Sequence, residues 1–129
     1  MEESTPSVYA QLGDEGFQRL VAAFYRRVTE DAVLSALYPK DDLTGAERRL
    51  RMFLIQFFGG PTQYSAERGH PRLRMRHMPF VIGPIEREHW IAAMTAALEE
   101  AKIPEPARST MYDYFGKTAT FLMNAPLSP

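Results

Sequence analysis

One short segment contains most of the residue types that can bind a metal or an anion. Residues 69–80, with the sequence GHPRLRMRHMPF, include two histidines, three arginines and two prolines. Pro71 suits the first turn of a short helix, because its missing N–H would have no helical partner there, and Pro79 ends such a helix. The prolines therefore predict that His77 lies at the end of a short helical turn.

The spacing around this turn predicts a surface that is partly apolar and partly cationic. Arg72 and Arg76 lie four residues apart and share one helical face, and Met75 is expected beside His77 on the interior side. An imidazole above apolar side chains, with cations at the rim, suits a haem iron and its two propionates. Haem is thus the first candidate ligand for this segment.

The composition is that of one globular domain. The chain has 129 residues, 45% of them hydrophobic and 24% charged, with a formal net charge of -1, which is enough for one hydrophobic core. It contains no cysteine, which excludes disulfides, thiolate nucleophiles and cysteine-ligated zinc or iron–sulfur sites. The near-neutral charge argues against a general nucleic-acid surface. Any metal must be held by histidine, carboxylate or a prosthetic group.

The two ends of the chain are expected to differ. Residues 1–7 are polar and acidic, and we expect a flexible leader there, followed by a single domain at residues 8–129. The leader lacks the long apolar run of a signal peptide or a membrane anchor, so no membrane partner is expected and the protein is expected to be cytoplasmic.

Apolar residues recur with helical spacing, and no run alternates with period two for long enough to predict a sheet. After a cap at Gly13 or Asp14, the first stripe consists of Phe17, Leu20, Val21, Phe24, Tyr25 and Val28. Further helices are predicted at about 31–37, after a capping box that begins at Thr44, after Gly83, and after Pro106. Five or six such helices, separated by Gly-Gly-Pro and Gly-Pro, predict an all-α fold whose helices cross around a pocket.

Several short motifs are specific when they are taken together. They are Phe24-Tyr25, Leu37-Tyr38-Pro39, Leu50 to Phe53, Phe58-Gly59-Gly60-Pro61, Tyr64, residues 69–77 with Pro79-Phe80, and Trp90. In this combination the chain resembles the truncated haemoglobins of the second group, over essentially all of its length after the leader. The resemblance implies a truncated globin fold, which is a two-over-two helical sandwich around haem b.

The resemblance also implies roles for individual residues. His77 would be the proximal iron ligand. The distal side, where a gas binds, would be formed by Tyr25, Tyr38, Trp90, Ala46, Leu50 and Phe24. Further haem contacts would come from Phe53, Met75, Phe80, Trp90 and Met94. The propionates would be met by residues among Arg49, Tyr64, His70, Arg72 and Arg76.

The function implied by the resemblance is reversible binding of oxygen and other diatomic gases. Three hydrogen-bond donors near the bound gas would make its release slow and its affinity high. Slow release favours redox chemistry on nitric oxide or peroxide over bulk oxygen transport. No G-x-G-x-x-G motif is present, so turnover would need an external electron donor. No catalytic residue is predicted, and the chain is expected to be a monomer or a homodimer.

Two other interpretations compete with this one. The chain could be a cofactor-free helical interaction module whose arginine-rich patch binds an anionic partner. A zinc site formed by His70, His77 and His89 is conceivable, but none of their spacings is i+3 or i+4. Whether the purified protein is red separates the globin hypothesis from the interaction module.

Overall fold

The computed structural model describes residues 6–124. Within that range it contains seven α-helices and no strand, so the predicted all-α class is confirmed. The helices are α1 (Val8–Glu30), α2 (Ala32–Ser35), α3 (Leu43–Phe57), α4 (Gln63–Arg68), α5 (Leu73–His77), α6 (Pro84–Glu100) and α7 (Ala107–Phe121). None of the helices in this range is both long and apolar enough to cross a membrane.

The predicted leader falls largely outside the described residues. Residues 1–5 lie outside them, whereas Ser7 takes part in the fold, because its hydroxyl accepts a hydrogen bond of 3.0 Å from the Ala10 N–H and caps α1. The boundary between a leader and a domain at residues 8–129 stays a prediction.

The first helix begins earlier than the sequence predicts. Gly13, expected to be a cap, is instead a kink inside α1, with φ 67° and ψ 178°. Glycine has no Cβ and adopts this backbone conformation at little cost. The section before the kink lies against the end of α3, where the Tyr9 N–H donates to the Phe58 carbonyl at 3.0 Å.

Helix α1 is the centre of the core. All six residues of its predicted apolar stripe are buried, as expected. α1 packs against α3 and also against α6 and α7, which pack against each other. The α1/α3 pair therefore crosses the α6/α7 pair, and side chains such as Met94, Leu98, Met111 and Phe115 fill the space between them.

The predicted start of α3 was two residues late. The cap is Asp42 rather than Thr44, because the Asp42 Oδ1 atom accepts from the Gly45 N–H at 3.2 Å. The Gly-Gly-Pro sequence ends this helix as predicted, and the Gly60 N–H turns back to the Ile55 carbonyl at 2.8 Å. The preceding α2 is shorter than the predicted span 31–37 and is capped by Asp31.

Helix α5 is a single short turn that ends at His77, as the prolines indicate. Pro71 is not in its first turn, however, because the helix is preceded by Arg72, whose φ of 45° lies in the left-handed region. Pro71 thus sits in the approach to the helix rather than inside it.

The core predicts a clear difference between two apolar substitutions. Leu98→Ala removes a side chain that is 2% exposed and should lower the free energy of unfolding by about 2–5 kcal/mol. Ile85→Ala is the control, since Ile85 is 63% exposed and its truncation should change that free energy by about 0.5 kcal/mol or less. Denaturant unfolding followed by circular dichroism measures both, and equal losses would contradict this description of the core.

Candidate functional site

A cavity of about 310 Å³ lies between the two helix pairs. Its walls are mainly apolar. The apolar lining includes Leu37, Ala46, Leu50, Phe53, Leu54, Leu73, Phe80, Phe115 and Leu122. Polar groups are few: an imidazole, tyrosine hydroxyls, the Thr118 hydroxyl, an indole N–H and four arginines, with Glu86 as the carboxylate. An apolar cavity with a few placed polar groups is typical of small-molecule and cofactor sites.

The imidazole of His77 is fixed by the backbone of its own helix. Its Nδ1 atom lies 2.6 Å from the carbonyl oxygen of Leu73, and a carbonyl can only accept, so Nδ1 carries the proton and donates. The Nε2 atom of the neutral ring then keeps its lone pair. A histidine oriented in this way through its other ring nitrogen is a ready metal ligand.

Three aromatic side chains bring polar atoms to the cavity from separate elements. Tyr25 comes from α1, Tyr38 from the segment after α2, and Trp90 from α6. The Trp90 indole N–H donates to the Tyr38 hydroxyl at 3.3 Å, while the rings of Tyr25 and Tyr38 meet edge to face at 5.4 Å. Within residues 6–124 the Tyr25 hydroxyl has no hydrogen-bond partner, which leaves its proton available to a ligand.

Burial keeps both tyrosines protonated. Desolvation raises the pKa of Tyr25 well above its usual value, and the neighbouring Tyr38 raises it further. Desolvation also raises the pKa of Tyr38 to about 12, although the hydrogen bond from Trp90 opposes that rise. At neutral pH the two hydroxyls are therefore donors, and Tyr38 can donate its own proton while it accepts from Trp90.

Arginines supply positive charge to the cavity lining. Arg49 pairs with Asp42, with 3.1 Å between the guanidinium and the carboxylate. Arg76 donates to the carbonyls of Pro71 at 2.7 Å and Arg68 at 2.9 Å. Arg68 and Arg76 both lie 5.9 Å from the centre of the Tyr64 ring. These groups can meet the carboxylates of an anionic ligand.

The cavity brings together most of the residues that the sequence singled out. They are His77, Arg49, Phe53, Tyr64, Arg76, Phe80, Trp90, Tyr25, Tyr38, Ala46 and Leu50. Within residues 6–124, by contrast, no group of three histidine, aspartate or glutamate side chains is arranged to hold a metal ion. A single imidazole among apolar walls and arginines suits a metal that is held within a prosthetic group.

Comparison with known proteins identifies the family. The model of the bacterial-like globins matches residues 7–124. Over 124 residues the chain is 34% identical to the group 2 truncated haemoglobin of Bacillus subtilis, and the match covers 96% of the chain and 93% of that relative. The chain belongs to the group II truncated haemoglobins.

Solved structures agree on the fold of this globin. The haemoglobin of the thermophilic phototrophic bacterium Chloroflexus aurantiacus is 52% identical, with a TM-score of 0.89 over 93% of this chain and 99% of that one. The truncated oxygen-avid haemoglobin of Bacillus subtilis is 34% identical, with a TM-score of 0.88 over 92% and 100% of the two chains. The two-over-two globin fold expected from the sequence is confirmed.

Two of the residues assigned to the site of this truncated haemoglobin lie behind the cavity wall. Phe24 and Met94 do not line the cavity and are 0% and 1% exposed. Phe24 packs against the rings of Tyr25 and Trp90, each at 5.3 Å, so it supports the distal side from the core. For Phe24 this follows from helix geometry, because Phe24 and Tyr25 are adjacent in α1, so that one faces the core and the other faces the cavity. Met94 lies one helical turn after Trp90 in α6 and is buried in the core.

Three further residues of the predicted site lie outside the cavity lining. Met75 is 54% exposed, and the expectation that it points inward is wrong. Because Leu73 and His77 share the cavity face four residues apart, Met75 between them projects to the other side. His70 and Arg72 are exposed, and the His70 Nδ1 atom accepts from the Arg72 N–H at 3.2 Å, which closes a local turn.

Some lining residues of this globin were missed by sequence analysis. Arg87 lines the cavity and donates to the Thr120 hydroxyl at 2.8 Å; its place three residues before Trp90, on the same helical face, was the available signal. Outside the cavity lining, the His89 Nδ1 atom lies 2.8 Å from the Asp31 carboxylate. No sequence pattern marks that long-range pair.

The raised pKa of Tyr38 can be tested by titration. At the ordinary tyrosine pKa of 10.0 an unperturbed phenol is half ionised, whereas Tyr38, with a pKa of about 12, should be roughly 1% ionised. NMR of ring-labelled tyrosine, with the Tyr38 signal assigned by its loss in Tyr38→Phe, measures this. A Tyr38 signal at the midpoint of its shift at pH 10.0 would contradict the description of a desolvated hydroxyl.

Proposed function

We propose that this truncated haemoglobin binds haem b with His77 as the protein ligand and takes up oxygen, and other diatomic gases, reversibly. The supporting observation is the imidazole of His77, held by the Leu73 carbonyl in an apolar cavity whose lining includes arginines. The donor set fits the cofactor: an unprotonated ring nitrogen for iron, apolar walls for a porphyrin, and cations for two propionates.

One group of residues would hold the iron of the cofactor and a second group would hold its propionates. His77 would hold the haem iron through its free ring nitrogen, and haem, when bound, would supply a metal that can take up a gas. Arg49, Arg76 and the Tyr64 hydroxyl are candidate partners for the propionates, since all three line the cavity. His70 and Arg72 are weaker candidates, because their present contacts are with local backbone and solvent.

The distal side is proposed to consist of Tyr25, Tyr38 and Trp90, with Ala46 and Leu50 as its apolar cover. A hydrogen bond to a partly charged oxygen ligand contributes about 1.5–3 kcal/mol, which is roughly 10- to 100-fold in affinity. The Tyr25 hydroxyl, which makes no hydrogen bond with a described residue, is a candidate donor, and Tyr38 can also donate while it accepts from Trp90. We therefore infer high oxygen affinity, a property that also describes the oxygen-avid relative.

A protein that releases oxygen slowly is better suited to oxygen storage or redox chemistry than to bulk oxygen transport. A retained oxygen has time to meet nitric oxide or an electron, and the electron would come from outside this chain, since its sequence has no nucleotide-binding motif. A cytoplasmic location and a monomeric or dimeric state stay predictions.

Haem ligation by His77 has a direct spectroscopic test. The purified protein should take up one haem, and its visible bands should change reversibly on reduction and on exposure to oxygen and carbon monoxide. His77→Ala should lose these bands or shift them, because no other histidine lines the cavity. His89→Ala is the matched control and should keep them. Absence of specific haem uptake would refute the proposal.

The distal donors predict the rate of oxygen release. Tyr25→Phe deletes one hydroxyl and should raise the oxygen dissociation rate constant about 10- to 100-fold, and Trp90→Phe should also raise it. The control is Tyr112→Phe, the same change at a residue that is 49% exposed and does not line the cavity. Stopped-flow displacement of oxygen by carbon monoxide measures the rates. Unchanged rates in both distal variants would rule out this assignment.

A further inference from the structure

A basic surface lies around α5, at the rim of the cavity, where Arg68 and Arg76 also belong to the cavity lining. Residues 68–85 contain four arginines, Arg68, Arg72, Arg74 and Arg76, and no aspartate or glutamate. Because the whole chain has a formal net charge of -1, the remainder of the chain is net acidic. The molecule thus presents one basic side that can orient an approaching charged partner.

The charge of this surface is not compensated within residues 6–124. None of the four guanidinium groups forms an ion pair there: Arg76 donates to backbone carbonyls, and Arg74 lies 5.4 Å from the centre of the Phe121 ring. Ion pairs are made elsewhere by Arg19, Arg26, Arg27, Arg48, Arg49 and Arg87. Since two haem propionates neutralise at most two cations, at least two of the four arginines stay free for another anion.

The same surface exposes large apolar side chains. Met78 is 68% exposed and Val81 is 70% exposed. The end of α7 is tied to this region, because the Asn124 side chain donates to the carbonyls of His77 at 3.2 Å and Phe80 at 2.8 Å. Phe121, 54% exposed, therefore extends the surface. We call the four arginines together with Met75, Met78, Val81 and Phe121 the basic-apolar patch.

This mixture of side chains favours a protein partner. Arginine, methionine and aromatic residues are the types enriched at protein interfaces, and several large apolar side chains exposed in one region of the surface are a feature of contact surfaces. A nucleic-acid backbone would use the cations alone and would leave Met78 and Val81 without a partner. The uncompensated positive charge requires that the partner be acidic.

We propose that the basic-apolar patch docks an acidic electron-donor protein, namely a small flavin or [2Fe–2S] carrier whose cofactor edge is surrounded by carboxylates. This inference rests on the proposed haem function. Phe80 connects the protein surface with the cavity, because it lines the cavity and is also 40% exposed. Its ring centre lies 6.5 Å from that of His77, and it adjoins Val81 of the patch in the sequence, so a partner that covers Val81 and Phe80 would contact a side chain that also lines the cavity.

The proposed step transfers one electron. The reduced carrier loses the electron, and a ferric haem iron gains it and becomes ferrous, with no bond formed or broken. The patch contributes by holding the carrier near Phe80 and by raising the rate of encounter through opposite charge.

Binding is the first test, with oxidised acidic flavodoxin as the probe and the ferric, haem-loaded protein as its partner. Arg74→Glu should raise the Kd about tenfold or more at low ionic strength, because Arg74 belongs to the patch but does not line the cavity. Arg108→Glu is the matched control, an equal charge change about 20 Å from Phe121 along α7, and should change the Kd less than twofold. High salt should remove the difference. Met78→Glu, a second variant, should also weaken binding.

Reduction is the second test. Anaerobic reduction by the reduced flavodoxin should slow in Arg74→Glu by about the factor seen in the Kd, whereas reduction by dithionite should not change. Failure of haem uptake would refute the proposed function itself. Normal haem spectra combined with equal behaviour of Arg74→Glu and Arg108→Glu would overturn the docking proposal alone. Self-association that buries the patch, or tight binding of single-stranded DNA lost in Arg74→Glu, would overturn it too.

Discussion

Burial of one helical stripe organises this protein. The apolar face of α1 packs against α3, α6 and α7, and its six stripe residues are almost completely removed from water. Burying side chains of this size contributes about 1.5–3 kcal/mol each. The stripe also carries Tyr25, so the packing that stabilises the fold fixes the position of a polar group at the cavity wall.

Burying a polar group in an apolar cavity costs free energy unless the group makes a hydrogen bond. Trp90 and Tyr38 satisfy each other in part through a 3.3 Å hydrogen bond, and the His77 Nδ1 atom is satisfied by the Leu73 carbonyl. Among the polar groups that the described residues leave without a partner are the Tyr25 hydroxyl and the second ring nitrogen of His77. These two groups differ chemically, since one donates a proton and the other offers a lone pair, and they define what the cavity can bind.

The sequence predicted the parts of the structure that follow from local periodicity. Helical spacing predicted the buried face of α1. The Gly-Gly-Pro sequence predicted the end of α3, and Pro79 predicted the end of α5. The start of α3 was wrong because Asp42 and Thr44 are both good caps and only the folded backbone distinguishes them. Met75 was placed on the wrong side although it lies two residues from His77, a spacing that puts the two side chains on different faces of a helix.

Long-range partners were the least predictable part of the site. Periodicity shows which face of a helix is apolar, but it does not show which helix that face meets. Arg87 lines the cavity and His89 lies beside Asp31 because α6 packs against both α1 and α2. The resemblance to the family predicted most residues of the site from the sequence. The distances between their atoms and the hydrogen bonds that they make could be read only from the folded chain.

The Arg49–Asp42 pair links the cavity to the start of a helix. The Asp42 carboxylate caps α3 through one oxygen and holds Arg49 through the other. An anion that draws the Arg49 guanidinium away from Asp42 would break this ion pair, and its apparent affinity would be lowered by the free energy of the pair. Because linkage is reciprocal, the bound anion also changes how strongly Asp42 holds the first turn of α3, so occupancy of the cavity and fraying of this helix are thermodynamically coupled.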